Sequence, residues 1–280
     1  MQEFLQKIIS WAENDNSVRM LIQTGSHTRI DNSSDELSDF DIEMFVDDVG
    51  RFADSNRWIK EIDDVWVCLP LTNSVGDPTR LVIFNGGYKV DFTLNKLKDI
   101  EQIKKDGYDD YFNKGFKILL DKDNLGKDLP SPSYKTQFTK KPTQEEFTAL
   151  VEEFFFETYH IPKYVKRGSL WTVKMRDWGI KELLLRMLEW YEKSLHGFDY
   201  DTWYAGAKLE KWVERNIYDE LQNTFAHFDK EDSLRALDAT IKLFRRIAKE
   251  TAKNLDLIYP EEVDQNITGY IEKISNDSNS

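Results

Sequence analysis

Gly25-Ser26 closes a short apolar run, Val18, Met20 and Ile22. Thirteen residues later Asp39-Phe40-Asp41 opens another, Ile42, Met44, Phe45 and Val46. A period of two sets Asp39 and Asp41 on one face of a strand and Phe40 and Ile42 on the other. Two carboxylates about 6 Å apart repel by roughly 3 kcal/mol at an effective dielectric near 20. A hard divalent cation with an all-oxygen shell, Mg²⁺ above all, relieves such a pair. A third carboxylate, Asp91, lies within Val90-Asp91-Phe92-Thr93-Leu94. An aspartate disfavours a strand interior, so it calls for either an exposed edge or a chemical role. Three carboxylates on adjacent strands suit a Mg²⁺ ion and the deprotonation of an attacking hydroxyl. The Gly25-Ser26 turn offers backbone N–H groups and a hydroxyl to a phosphate. Arg29 offers its guanidinium to a phosphate oxygen. A Gly-Ser pair alone is a common dipeptide. Combined with three carboxylates at this spacing, it points to metal-assisted nucleotide chemistry.

The elements that must hold these residues follow from periodicity. Apolar positions Phe4, Leu5, Ile8, Ile9 and Ala12 predict a helix over 4–14, followed by a strand over 18–24. A strand near 39–46, a short helix around 51–61 and a strand over 65–69 come next. Strands over 79–85 and 88–94 flank Gly86-Gly87, a hairpin signal. A helix over 96–105 and a strand over 116–120 complete a mixed α and β half. Residues 122–142, with Gly126, Pro130, Pro132 and Pro142, read as a connector. Thr143 and Glu146 form a capping box that opens a helix. Helical patterns then run from about 170 to 195, from about 206 to 222, and through Leu234, Leu237, Ile241, Phe244, Ile247 and Ala248 to a stop before Pro260. The polar tail Ser275–Ser280 is expected to be disordered. The expected fold is α+β: a mixed-sheet domain over 1–135 and a helical bundle over 136–280.

Composition narrows the class. The 280 residues, 40% hydrophobic and 13% aromatic, suffice for a sizeable core. No apolar run reaches the roughly 18–20 residues of a membrane span. Met1-Gln2-Glu3-Phe4 lacks the basic and apolar regions of a signal peptide. A single cysteine, Cys68, excludes an intrachain disulfide and a multi-cysteine zinc site, and its apolar neighbours predict a core position. A reducing cytoplasm is the expected compartment. The net charge of −13 argues against nucleic-acid binding and fits a cationic partner. Between Arg29 and Asp48 the acidic residues are Asp31, Asp35, Glu36, Asp39, Asp41, Glu43, Asp47 and Asp48, against Arg29 alone. Trp171, Trp178, Trp190, Trp203 and Trp212 fall in the helical half. They either fill its core or line a ligand cleft.

Gly25-Ser26, Asp39-Phe40-Asp41 and Asp91 together resemble the nucleotidyltransferase superfamily that includes polymerase β. Thr24–Arg29, Ser38–Ile42 with Phe45-Val46, and Lys89–Leu94 resemble the aminoglycoside 6-adenylyltransferases, the streptomycin-modifying enzymes. So do Leu119–Asp123, Lys141–Thr143 with Glu146-Phe147, and Leu184–Met187 with Trp190. The likeness spans nearly the whole chain. It implies that Asp39 and Asp41 bind Mg²⁺ and the triphosphate, with Asp91 as general base and a possible further metal ligand. Gly25, Ser26 and Arg29 would hold phosphates. Lys208, or Lys211 in its place, would close on the triphosphate from the helical domain; a solvated helix face is their other reading. The implied reaction moves AMP from ATP to a hydroxyl of an aminoglycoside, streptomycin foremost, giving antibiotic resistance. Such polycations explain the acidity, with Asp177 as a possible substrate carboxylate or a plain surface residue. Three readings stay open: this enzyme; the same transfer to a lincosamide, another small molecule or a protein; and a non-catalytic nucleotide-binding protein. A monomer and a homodimer are equally compatible with the sequence.

Overall fold

The structure is a computed structural model and describes residues 2–30, 34–107, 110–134 and 140–276. It divides into two units, Met1–Phe138 and Thr139–Ser280. In the first, α1 (Gln2–Asn14) leads into β1 (Val18–Thr24), a 3₁₀ turn (Gly25–Thr28) and β2 (Phe40–Val46). Then come α2 (Val49–Ala53), α3 (Ile59–Ile62), β3 (Val65–Thr72), β4 (Pro78–Phe84) and β5 (Lys89–Lys96). α4 (Leu97–Asp106), α5 (Asp110–Asn113) and β6 (Lys117–Asp121) complete the unit. The strands form one sheet in the order β3-β4-β5-β2-β1-β6. β2 and β5 run parallel, while β1–β2, β1–β6, β3–β4 and β4–β5 are antiparallel.

Alternation along β2 sorts the two faces of the sheet. Phe40, Ile42, Met44 and Val46 join Phe4, Ile8, Phe52 and Trp58 in one apolar core. Phe45 points the other way and packs with Met20, Ile22, Ile100 and Phe112. That second core is small and covers only part of its face, so Asp41 and Glu43 of β2 can stand beside it. The hairpin between β4 and β5 turns through Gly86 and Gly87, both at positive φ (87° and 80°), where glycine carries no Cβ penalty.

The region expected as one helix over 51–61 is two short helices, α2 and α3, because Asp54, Ser55 and Asn56 favour a turn. β3 extends to Thr72 and is an edge strand, with Val67, Leu69 and Leu71 exposed. Cys68 on it is therefore half-buried and not a core residue. Asp31, residues 135–139 of the expected connector and residues 277–280 of the expected tail lie outside the described residues.

The second unit is helical. α6 (Gln144–Lys166) and α7 (Leu170–His196) precede the short α8 (Leu209–Trp212) and α9 (Arg215–Leu221), then α10 (Lys230–Asn254) and α11 (Glu261–Asn276). The capping box forms as written: Glu146 N donates to Thr143 Oγ1 at 3.2 Å, and Thr143 N donates to Glu146 Oε2 at 2.8 Å. The expected helix over 206–222 is broken into α8 and α9, since Val213 is extended and Lys208 is left-handed (φ 54°). The tryptophans divide. Trp212 is in the core and Trp190 and Trp203 pack against it, but Trp171 (79%) and Trp178 (63%) are exposed.

α11 was not anticipated, and Ser275 and Asn276 belong to it and not to a disordered tail. Its signals were a proline before an acidic first turn (Pro260, Glu261, Glu262) and apolar Val263, Ile267 and Ile271 at helical spacing. A buried carboxylate paired with the half-buried Arg245 fastens it to α10. Arg245 Nε and Nη2 each donate to Asp264 at 2.6 Å, and Tyr259 Oη and Thr268 Oγ1 donate to the same carboxylate at 2.8 and 3.0 Å. Asp264 is 2% exposed. Burial pushes its carboxyl up, but the bonds from Arg245, Tyr259 and Thr268 outweigh that and hold it below 3.8. A depressed carboxylate stabilises the fold fully above its unfolded value and loses that contribution as pH falls through its folded value. Asp264→Asn is expected to cost about 3 kcal/mol in urea unfolding at neutral pH. The gap from the natural protein should close as pH falls below 3.8. A gap that stayed constant across that range would contradict the linkage.

Candidate active site

One row across the sheet assembles the chemistry. Thr24 of β1 faces Asp41 of β2, Asp41 faces Asp91 of β5, and Asp91 faces Leu81 of β4. Neighbouring strands lie about 4.8 Å apart, so Asp41 and Asp91 carry like charges side by side on one face. Two residues earlier, Lys89 on β5 and Asp39 just before the start of β2 take the same face. Lys89 Nζ donates to Asp39 Oδ2 at 2.6 Å and to Asp91 Oδ2 at 3.0 Å. Burial opposes its charge, yet the two carboxylates prevail and hold the ammonium above its ordinary value. The structure thus brings Asp41 and Asp91 together by register and ties Asp39 to Asp91 through a lysine. Among the described residues, no three or more His, Cys, Asp or Glu side chains converge as a metal cluster.

The turn after β1 is built against this row. Gly25 has φ +74°, and a Cβ placed there would lie 1.9 Å from Asp41 Oδ2. Only glycine lets the backbone come so close to that carboxylate. Thr28 Oγ1, shared between two carbonyls, donates to Gly25 O at 3.0 Å and Gly115 O at 2.7 Å, so the turn is anchored to the loop before β6. His27 stacks on Phe40 with ring centroids 5.1 Å apart. Ser26 lies within the turn, and Arg29 follows it in an extended conformation. Thr24 Oγ1 and Asp91 Oδ1 are buried with no hydrogen-bond partner among the described residues. Each unpaired oxygen costs about 1–3 kcal/mol unless something binds it. Hard carboxylate oxygens, Asp91 Oδ1 among them, fit a divalent cation of the Mg²⁺ type in chemistry.

A model of the streptomycin adenylyltransferase family matches residues 1–274. The chain belongs to that family. Three aminoglycoside 6-adenylyltransferases are similar over nearly full length. The one from Bacillus subtilis (strain 168) is 26% identical, covering 98% of this chain and 97% of its own. That from Campylobacter jejuni is 26% identical (96% and 94%), and that from Staphylococcus aureus 25% identical (96% and 96%). A crystal structure of an aminoglycoside 6-adenyltransferase from Bacillus subtilis aligns with a TM-score of 0.49 at 22% identity, covering 98% of each chain.

In this streptomycin adenylyltransferase family member the carboxylate row opens into a groove of about 620 Å³ within the first unit. Its lining includes Asp41, Glu43, Asp77, Asp91, Asp99 and Asp106, and among the described residues it contains no lysine or arginine. Glu43, 8% exposed, accepts from Asn95 Nδ2 at 2.6 Å. Lys89, Glu43 and the groove were missed at the level of sequence. Lys89 and Glu43 were visible only as alternate residues flanking Asp91 and Asp41 on their strands.

The remaining anticipated residues lie in the helical unit. Lys208 caps α8 in a left-handed conformation, with Nζ 5.5 Å from the Trp203 ring centre, and Lys211 is exposed. Asp177 accepts from Lys181 Nζ at 2.6 Å. Lys181 is only 7% exposed, and burial lowers its ammonium below the ordinary value despite Asp177. It lines a largely apolar cavity of about 270 Å³ with Trp178, Leu185, Gly206 and Phe225. No helix among the described residues is long and apolar enough to cross a membrane.

Proposed function

We propose that this protein transfers AMP from ATP to a hydroxyl of an aminoglycoside, with streptomycin the foremost acceptor, and that the transfer confers resistance in the cytoplasm. The observation that carries the reading is the Asp41–Asp91 pair at one register position of parallel strands, with the Gly25 turn against Asp41. Family membership and the relatives' names support the adenylyl donor and the acceptor class.

In the proposed reaction the acceptor hydroxyl gives its proton to Asp91, whose Oδ1 has no other partner among the described residues. The freed oxygen attacks the α-phosphorus, a bond forms between them, and the bond to pyrophosphate breaks. Ser26, the turn's backbone N–H groups and Arg29 hold phosphate oxygens. Lys208, or Lys211, serves the triphosphate. Asp39, Asp41 and Asp91 would hold Mg²⁺, which when bound neutralises charge on the phosphates. The acidic groove receives the acceptor's cationic groups, since guanidinium and ammonium pair well with carboxylates. Asp177 is a further carboxylate for the acceptor, its charge shared with Lys181.

Incubation with Mg-ATP and streptomycin should release pyrophosphate and add the mass of one AMP to the drug. Absence of product with every aminoglycoside would remove the acceptor claim. Product with a lincosamide or a protein instead would reassign it. Tight ATP binding with no transfer to any acceptor would leave a nucleotide-binding protein. Within the groove, Glu43→Gln is expected to raise KM for the cationic acceptor about tenfold and leave KM for ATP unchanged, because one charge-assisted contact is lost. An equal rise for both substrates would place Glu43 outside acceptor recognition.

A further inference from the structure

Lys89 has no part in the mechanism above, yet it sits inside the carboxylate site. It alternates with Asp91 on β5, and its ammonium bonds Asp39 at 2.6 Å and Asp91 at 3.0 Å. Asp41 stands beside Asp91 across the strand pair. We infer that Lys89 is the positioning cation of this site: it holds Asp39 and Asp91 in place before a divalent ion arrives, and it lowers the site's affinity for that ion. The inference rests on the proposed function, in which these carboxylates are metal ligands.

The argument is electrostatic. Three aspartates on one face repel, and one ammonium reduces their combined charge from −3 to −2 while pinning two of them. The same ammonium competes for the oxygens an incoming cation needs and repels that cation at close range. Asp39 Oδ2 and Asp91 Oδ2 are engaged by Lys89, while Asp91 Oδ1 has no bond among the described residues. An ion that uses either Oδ2 must therefore displace the lysine, and one held through Asp91 Oδ1 alone sits beside its positive charge. This makes affinity for the free ion weak and couples tight binding to a ligand that brings its own negative charge, such as a nucleoside triphosphate.

Mn²⁺ binding in the absence of nucleotide, followed by the electron paramagnetic resonance of the free ion, tests this. Lys89→Met should bind Mn²⁺ at least tenfold more tightly than the natural protein, and Lys89→Arg should stay within threefold of it. Without metal, Lys89→Met should melt at a lower temperature than the natural protein and recover when Mn²⁺ is added, a response that simple loss of packing would not produce. Should Lys89→Met fail to fold, Lys89→Gln carries the same expectation. Equal or weaker Mn²⁺ binding by the neutral variant overturns the inference. If the natural protein transfers AMP while that happens, the proposed function survives without it. Tighter binding in a protein that modifies no acceptor sustains the Lys89 assignment and removes the enzymatic reading. No Mn²⁺ binding by either protein without nucleotide also overturns the inference, and the proposed function then stands or falls on the transfer assay alone.

Discussion

Replacing Asp91 by asparagine is expected to lower AMP transfer about a thousandfold while leaving the fold and ATP affinity nearly unchanged. The two side chains have the same shape, and the amide oxygen still accepts from Lys89. Val90 and Phe92 on either side are fully buried toward the opposite face, so β5 keeps its anchorage. What the amide lacks is the ability to take the proton of an attacking hydroxyl, a contribution of about 10²–10⁴ in rate. Steady-state pyrophosphate release, circular dichroism and calorimetric titration with ATP separate the two sides of the claim. Activity within tenfold of the natural protein would remove Asp91 from the role of base. A lost fold would make the residue structural instead.

Gly25→Ala is expected to reduce kcat/KM by roughly a hundredfold, because an error of about 1 Å in a reacting group has that scale of effect. Two penalties combine. An alanine at φ +74° enters the left-handed region at a cost of about 1–2 kcal/mol. Its methyl would also meet Asp41 Oδ2 at 1.9 Å and Cγ at 2.8 Å, so that carboxylate must leave its place beside Asp91. Gly168 provides the comparison: its φ is +72°, but among the described residues a Cβ there meets only Lys230 Nζ, at 4.0 Å. Gly168→Ala should share the loss in melting temperature and spare activity. If both variants retain activity, close approach to Asp41 is not needed for the reaction.

Much of this was legible along the chain. The alternation in 18–24, 39–46 and 88–94 marks β1, β2 and β5, because a strand with at least one buried face writes its period of two into the sequence. The Thr143–Glu146 box marks the start of α6, since both of its bonds are local. Asp39, Asp41, Asp91 and Gly25 stood out because carboxylates and a glycine beside apolar strands need a reason. Less legible were α11, whose few apolar positions are helped by the Arg245–Asp264 pair, and the breaks at Asp54–Asn56 and Val213, where turn chemistry overrides a helical pattern. The half-buried place of Cys68 depends on β3 being an edge, which its own apolar composition does not reveal.

By itself, then, the sequence determined the identity and spacing of the charged residues, the strands that carry them and the acidic balance, because these depend on neighbours within a few positions. Only the tertiary structure decided that Asp41 faces Asp91, that Lys89 lies between Asp39 and Asp91, and that Glu43, Asp77, Asp99 and Asp106 share one groove. The first two follow from the parallel register of β2 and β5, whose paired residues are fifty positions apart, and the groove from the β4 and α4 segments that flank those strands. Register is set by which face of each strand the core buries and by hydrogen bonds between strands, and no local stretch of chain contains that information.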